Sequence, residues 1–477
     1  MKTLLFTLNA SHAHSSLALR CLRDALEQKG FAATIFEATL KDRRHAVLSR
    51  LVEANADLYG FSCYIWNLDA MLSLAEDLKA LRPDCHIVLG GPEVSFDEER
   101  FTALPFVDHV IRGEGEEAIT QVADAVQNKK ALQRVLFCGP FADFERAGIH
   151  YRAGEKLPPL VYYESSRGCP FSCAFCLSSA TDGVRAKSAG VALSELAAFE
   201  ELAGDFTVKL VDRTFNFDRE RAKTIWRGLL DKSFTKCYHF EVAAHLLDAE
   251  CLDILARFPK GKIRLEIGLQ STNEKTLAAI SRHTKAAAVL DMAKQLTALG
   301  NLHVHLDLIA GLPHENYASF ARSFDAAFGC CNVLQLGFLK LLHGTALRQS
   351  AAASGTVFEA KSPYTVLKTA DLSFAELEQL YAVDDLVERL HNSGRFFRTL
   401  ALLIPDILTP FAFFEGFAKY LATHAAAELQ RIPQRELFLL LSQFAKSHAP
   451  EQTHRAISEA LRADFAACEV RRPPAGL

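Results

Sequence analysis

No stretch of the chain reaches the roughly 18 consecutive apolar residues that a membrane span needs. The most apolar late segment, "LALLIPDILTPFAFF", is broken by two prolines. Neither sign of charge is in surplus: 53 Lys and Arg stand against 57 Asp and Glu, a net −4 over 477 residues. That removes the basic footprint of a nucleic-acid binder and the charge block of an interaction tail. There is no internal repeat. The opening "MKTLLFTLNASHAH" has an apolar run too short for a secretory core and reads as a buried strand. Together these absences predict a cytoplasmic globular protein without membrane or nucleic-acid partners. Twelve cysteines in such a chain are not expected to form a disulfide framework. Nine are scattered and read as small buried hydrophobes; three stand together.

What is present points to an α/β chain of two to four domains. Residues 1–130 alternate short apolar runs ("TLLFTL", "AATIFEA", "LYGFSCYI", "HIVLGG", "DHVIRG") with amphipathic segments such as "SSLALRCLRDALEQKG". Five βα units in sequence predict a doubly wound, Rossmann-like parallel sheet with helices on both faces. Such sheets bind ligands at the carboxyl ends of their strands. There the chain carries "GGPEVSF", with Gly90 and Gly91, and "RGEGEEAI", with Gly113 and Glu114. Each alone is an ordinary glycine turn before a helix acid. Together on one edge they mark a ligand site.

Residues 131–157 read as a linker ending in the double proline of "EKLPPLVYYESS". A second series over 158–355 has six strand-like runs, "LVYYES", "FTVKLVD", "CYHFEVAA", "KIRLEIGLQ", "HVHLDLIAGLP" and "VLQLGFLKLL". Helices are expected to start near Ser194, Arg219, Asp248, Asn273 and Tyr317. This predicts a partial (β/α)6 TIM-type barrel with functional residues at its strand ends. Residues 360–477 have helical spacing, as in "SFAELEQLYAVDDLVERLHNSG", and predict an all-α domain closing on a loose tail, "RRPPAGL".

The strongest chemical signal is "SSRGCPFSCAFCLSS". Cys169, Cys173 and Cys176 follow C-x3-C-x2-C spacing in the loop after the first barrel strand. A structural zinc site needs a fourth ligand, and none follows at finger spacing. Iron–sulfur clusters are held by thiolates, and three of them on four irons leave one iron open for a ligand. Gly168 and Pro170 shape a tight loop, and Phe175 is placed to cover a cluster.

At these residues the chain resembles the radical S-adenosylmethionine (SAM) enzymes. "KLVDRTFNFD", "EVAAHLLD", "EIGLQSTNEKTL" and "LDLIAGLPHEN" are similar to later barrel strands of that superfamily. The N-terminal domain with "GGPE" and "GEGE" resembles the cobalamin-binding domain of one branch, and the helical end resembles an uncharacterised accessory domain. The resemblance implies a [4Fe-4S] cluster, SAM and cobalamin. It implies reductive cleavage of SAM to a 5′-deoxyadenosyl radical, with methyl transfer to an unactivated carbon as the expected outcome and a flavodoxin or ferredoxin as electron donor. It makes Asp212, Arg213, Glu241, His245, Glu266, Gln270, Ser271 and Asp307 candidates to hold SAM or substrate. Glu241 suits an ammonium and Gln270 a ribose; a salt bridge or helix cap is the competing role for each. "AGLP" is expected near the adenine, His314 and Tyr317 near substrate, and Arg185 and Lys187 near a ligand carboxylate or phosphate.

The loop after the first strand, "NASHAHSSL", is where many cobalamin proteins carry D-x-H-x-x-G, whose histidine ligates cobalt. Neither His12 nor His14 has the matching Asp and Gly. No axial histidine is therefore expected. His14 and Ser15, with Gly90, Gly91, Gly113 and Glu114, become the candidate cobalamin contacts. Three other readings remain open: a cobalamin-dependent cyclisation or rearrangement, a non-catalytic corrinoid or cluster sensor, and a methylthiotransferase with a second cluster on Cys21, Cys63 and Cys85. Against the last, Cys21 falls inside a helical run and Cys85 before a strand.

Overall fold

The computed structural model describes residues 1–468 apart from 143, 147, 181, 182, 233 and 426; the "RRPPAGL" tail lies outside them. Two parallel six-stranded sheets organise the chain. The first contains β1 (Thr3–Asn9), β2 (Ala33–Thr39), β3 (Leu58–Ser62), β4 (His86–Gly90), β5 (His109–Gly113) and β6 (Val135–Cys138), in the order 2-1-3-4-5-6. Every residue of β1 and β3 is buried, because helices cover both faces. Phe6, Tyr59, Phe61 and Leu89 pack on one face, and Leu5, Leu58, Val88 and Ile119 on the other. The strand order reverses between β1 and β3, which is where such a sheet opens a ligand crevice.

All five expected strands are present. The sixth corrects the linker: β6 lies inside 131–157 and pairs in parallel with β5, Val110 against Val135 and Gly113 against Cys138. Only Leu136 of its four residues is buried, so an edge strand this short leaves no period to read.

The second sheet contains β7 (Leu160–Tyr163), β8 (Thr207–Leu210), β9 (Cys237–Glu241), β10 (Ile263–Gln270), β11 (His303–Ala310) and β12 (Val333–Phe338), paired in sequence order. β7 and β12 do not pair, so the barrel is open on one side. Alternation sets which residues face the lumen. On β11, Val304, Leu306 and Leu308 are buried under the outer helices, while His303, His305 and Asp307 lie on the inner face. The helices start where side-chain caps place them. Asp218, Asp248, Asn273 and Asn316 accept from the first helical turns at Arg219, Ala249, Glu274 and Tyr317. The helix expected near Ser194 begins at Ala189 instead, because Ser188 caps it.

The C-terminal helices Phe374–Leu386, Phe397–Leu403, Pro410–His424, Gln434–His448 and His454–Cys468 share one apolar core with the barrel. Phe414 meets Phe324 and Phe328 of the last barrel helix at 5.8 and 5.6 Å. Each fully buried ring of this kind contributes about 2–3 kcal/mol. The expected all-α region needs one correction. It opens with a strand, Val366–Lys368, antiparallel to Val357–Phe358, and both are too short to show alternation.

A candidate active site between the two sheets

The carboxyl edge of the first sheet lies against both margins of the barrel's gap. At the β7 margin, Leu160 N donates to Ala13 O at 3.1 Å, His14 Nδ1 meets Tyr162 Oη at 2.7 Å, and Ser15 Oγ meets Tyr151 Oη at 2.9 Å. At the β12 margin, Tyr364 donates to Glu93 and Ser362 to Ile65 O. Gly344 lies against Phe96, where a Cβ would stand 2.5 Å from the ring. The loops after β1, β3 and β4 thus face the open side of the lumen.

The cysteine loop is bracketed by a hairpin, Ser166–Gly168 with Val184–Ala186. Gly168 has φ +92°, and a side chain there would overlap the Gly183 carbonyl, so only glycine closes this hairpin. The loop is tied down by Ala174 N to Ile280 O and Leu347 N to Ala174 O, both 3.0 Å. Cys169 Sγ lies 3.5 Å from Thr214 Oγ1, and Cys176 Sγ accepts from Ser178 N at 3.4 Å. Burial pushes the Cys173 thiol up, while Arg282, 3.9 Å away, pulls it down and the thiols of Cys176 and Cys169 push it up again. Arg282, which the sequence reading missed, also donates to Gly268 O. Phe175 is half-buried against the barrel core. Phe171, also on the loop, lies 5.5 Å from the ring of His245.

Several expected ligand contacts prove to be internal supports. Asp212 is fully buried. Its carboxylate accepts Ser165 N at 2.7 Å, Ser166 N at 3.1 Å and the Ser165 hydroxyl. It holds the turn entering the cysteine loop rather than a ligand. Lys187 is buried and pairs with Glu195 at 2.7 Å. Arg185 and Glu114 bind each other, and Glu114 also takes Arg167 at 2.6 Å and Phe141 N at 2.8 Å, so its carboxylate is turned toward the barrel. Tyr317 donates to Glu415 at 2.9 Å, away from the lumen. His314 is exposed, held through its backbone by Asp371 and Asn273. Arg213 is exposed, and Ser271 is buried, accepting Asn273 N at 2.9 Å.

The lumen keeps the others together. Glu266 on β10 receives Lys209 at 2.8 Å, and His239 Nε2 lies 3.0 Å from its carboxylate. Burial opposes its charge, but the His239 and Lys209 contacts prevail and hold it down at about 2. Lys209 also stands 3.8 Å from Glu241. Burial raises Glu241 and Asp307, and neighbouring carboxylates raise them further. Gln270 has φ +72° at a bulge in β10, and Gly268 leaves the space into which its amide folds. Gln270 Oε1 and Asp307 Oδ1 are buried without partners among the described residues. Below them His303 Nδ1 and His305 Nε2 stand 2.9 Å apart. Burial lowers both histidines, His305 to about 3.

On the edge of the first sheet, Gly91 has φ +110° and lies so close to Cys63 that a Cβ would sit 2.5 Å from its carbonyl oxygen. Gly90 O accepts Cys63 N, and Gly113 N donates to Ser95 Oγ at 3.4 Å. His12 is exposed. Trp66, also missed in the sequence, is 45% exposed beside the β1/β3 crevice and stacks on Tyr64 at 4.5 Å, its indole N–H fixed to Leu8 O. Cys63 lies at the carboxyl end of β3 and Cys85 at the amino end of β4, on opposite edges of the sheet. With Cys21 in helix Leu17–Gln28, these three thiols do not form a second cluster site.

A partial barrel with three thiols on its first loop is thus joined to a doubly wound sheet whose ligand edge faces its open side. Residues 4–123 match the B12 binding domain, 163–327 the radical SAM superfamily and 353–475 a protein family of unknown function, DUF4080. The chain thus combines a B12 binding domain with a radical SAM domain. It is 27% identical over 308 residues to 2-(S-pantetheinyl)-carbapenam-3-carboxylate methyltransferase of Streptantibioticus cattleyicolor, covering 55% of this chain and 44% of that one. It is 25% identical over 329 residues to the cobalamin-dependent radical SAM methyltransferase TokK of Streptomyces tokunonensis, covering 59% and 47%. The chain thus spans about half the length of these two relatives. Its fold is that of the radical SAM methyltransferase TsrM from Kitasatospora setae with cobalamin and a [4Fe-4S] cluster bound, with a TM-score of 0.64 at 16% identity over 98% of this chain and 99% of that one.

The residues fit these cofactors. Three thiols on one hairpin-bracketed loop suit three irons of a cluster. The partnerless Gln270 and Asp307 oxygens suit the hydroxyl donors of SAM. Trp66, exposed and anchored on Tyr64, suits an apolar face of a corrin.

Proposed function

We propose that the chain is a cobalamin-dependent radical SAM methyltransferase acting on an unactivated carbon of a small molecule. The observation that carries this reading is the seating of the two sheets: the ligand edge of the first faces the open side of a barrel bearing the three thiols. When bound, the cluster and SAM supply radical chemistry and cobalamin supplies a methyl carrier. Cys169, Cys173 and Cys176 hold the cluster and leave one iron open. Gln270 and Asp307 orient SAM, and Glu241 is available to an ammonium. The contacts at both margins of the gap close the chamber and exclude water from reactive intermediates. Because the loop lacks the D-x-H-x-x-G pattern, His14, which meets Tyr162 through Nδ1, is not assigned as a cobalt ligand. The proposed division is 1–130 for cobalamin (with β6 added), 158–355 for radical chemistry and 360–477 for the helical part. We assign a flavodoxin or ferredoxin as electron donor and the cytoplasm as location. Among the described residues no helix is long and apolar enough to cross a membrane.

Methyl transfer is preferred to cyclisation because both relatives above are named as methyltransferases. The test is an anaerobic reaction of reconstituted protein with host metabolite extract and SAM carrying a deuterated methyl group. A metabolite gaining that methyl, with 5′-deoxyadenosine and S-adenosylhomocysteine, is the expected result. Deoxyadenosine with a modified but unlabelled metabolite points to cyclisation or rearrangement.

A further inference from the structure

The "GEGE" motif follows β5 at the edge expected to meet cobalamin, yet its two glutamates turn the other way. Glu114 and Glu116 both bind Arg167, at 2.6 and 2.5 Å, and Arg167 Nε reaches Glu164 at 2.9 Å. Arg167 stands two residues before Cys169, in the first strand of the hairpin that brackets the cysteine loop. Its register partner across that hairpin is Arg185, which also binds Glu114. Both strands at the base of the cysteine loop are therefore fastened to one helix terminus of the other domain, helix Glu116–Asn128. The fork of a guanidinium can hold two carboxylates in fixed directions, which an ammonium cannot. The Arg167 side chain is 15% exposed and that of Glu116 7%, so solvent screens this pair little.

We propose that Arg167, gripped by Glu114 and Glu116, is a positioning residue that fixes where the cysteine loop stands relative to the cobalamin edge. The inference rests on the proposed function for what the two sites hold, but not for the latch itself. Ordinary interdomain adhesion predicts something different. The first domain also meets the rest of the chain through Ala13 with Leu160, His14 with Tyr162 and Glu93 with Tyr364. If those contacts alone set the geometry, loss of Arg167 leaves the separation unchanged.

The experiment uses full-length protein loaded with cluster and cobalamin and reduced so that cob(II)alamin and the cluster are both paramagnetic. Pulsed electron paramagnetic resonance then reads the distance between them. The latch predicts one narrow distance in the wild type, a displaced or broadened one in Arg167→Gln, and partial recovery in Arg167→Lys. Glu114→Gln, which leaves Glu116 and Glu164 in place, serves if Arg167→Gln does not load, and broadening is again expected. An unchanged distance and width in a loaded variant overturns the proposal. A wild type that retains no corrinoid overturns the proposed function instead. The latch is then read from amide hydrogen exchange over residues 166–186 in the cluster-loaded protein. Faster exchange in Arg167→Gln, reversed in Arg167→Lys, supports it; equal exchange in all three refutes it.

Discussion

Replacing Asp212 by Asn tests whether this residue supports the cysteine loop or touches a ligand. The carboxylate accepts three hydrogen bonds, from Ser165 N, Ser166 N and the Ser165 hydroxyl. An Asn oxygen can keep the two backbone donors. Its amide nitrogen then faces Ser165 Oγ, which already accepts from Arg221 Nη2 at 2.8 Å. One charge-assisted bond is lost, about 1.5–3 kcal/mol, and the other two weaken to neutral strength. Arg221, 9% exposed, also loses the electrostatic support of the Asp212 charge. The expected total is about 2–3 kcal/mol. With a urea slope of about 2–3 kcal/mol per molar for a domain of this size, the midpoint should fall by about 1 M. The chain has two tryptophans, Trp66 in the first domain and Trp226 buried in the barrel core. In a Trp66→Phe background the fluorescence transition reports the barrel alone. Iron content after reconstitution should fall with it. A midpoint within about 0.3 M of the parent, with full iron loading and weakened SAM binding, would refute the support role and restore Asp212 as a ligand contact.

Gly168→Ala should abolish cluster loading, because φ +92° costs a side chain about 1–2 kcal/mol before the overlap with the Gly183 carbonyl is counted; iron and sulfide analysis checks it, and normal loading would show that the hairpin yields. The lumen histidines should make the barrel acid-labile. His305 is neutral when folded, down to about 3, whereas its unfolded value is near 6.5. Folding therefore loses stability as pH falls below 6.5, by about 2–3 kcal/mol at pH 4.5 from His305 alone. Urea midpoints at pH 7.5 and 4.5 should differ more in the parent than in His305→Phe; equal differences would contradict this. His14→Ala should cost about 1 kcal/mol for the lost Tyr162 contact and leave the nitrogen splitting of the cob(II)alamin signal as it is in the parent. A nitrogen splitting in the parent that vanishes in the variant would make His14 the axial ligand.

The sequence carried the parts of the fold that repeat. Eleven of the twelve strands in the two six-stranded sheets and the helices between them follow from alternation and capping, both of which act within a few residues. β6 escaped because "VLFC" is too short and too exposed to show a period. The cysteine loop was legible for a similar reason: its three ligands and its glycine lie within nine residues. What was hidden is where strand-end side chains turn. Asp212 and Gln270 both close barrel strands, yet Asp212 points back under the cysteine loop and Gln270 into the lumen. That choice depends on Ser165, 47 residues before Asp212, and on the bulge that Gly268 permits. The pairing of Glu114 and Glu116 with Arg167 was hidden, because that arginine is more than 50 residues away.

The central claim is that Cys169, Cys173 and Cys176 hold a cluster that cleaves SAM. Anaerobically reconstituted protein, given SAM and a strong reductant, should release 5′-deoxyadenosine, and Cys173→Ala should release none. Iron-loaded parent protein that yields no more deoxyadenosine than the Cys173→Ala variant would contradict the account.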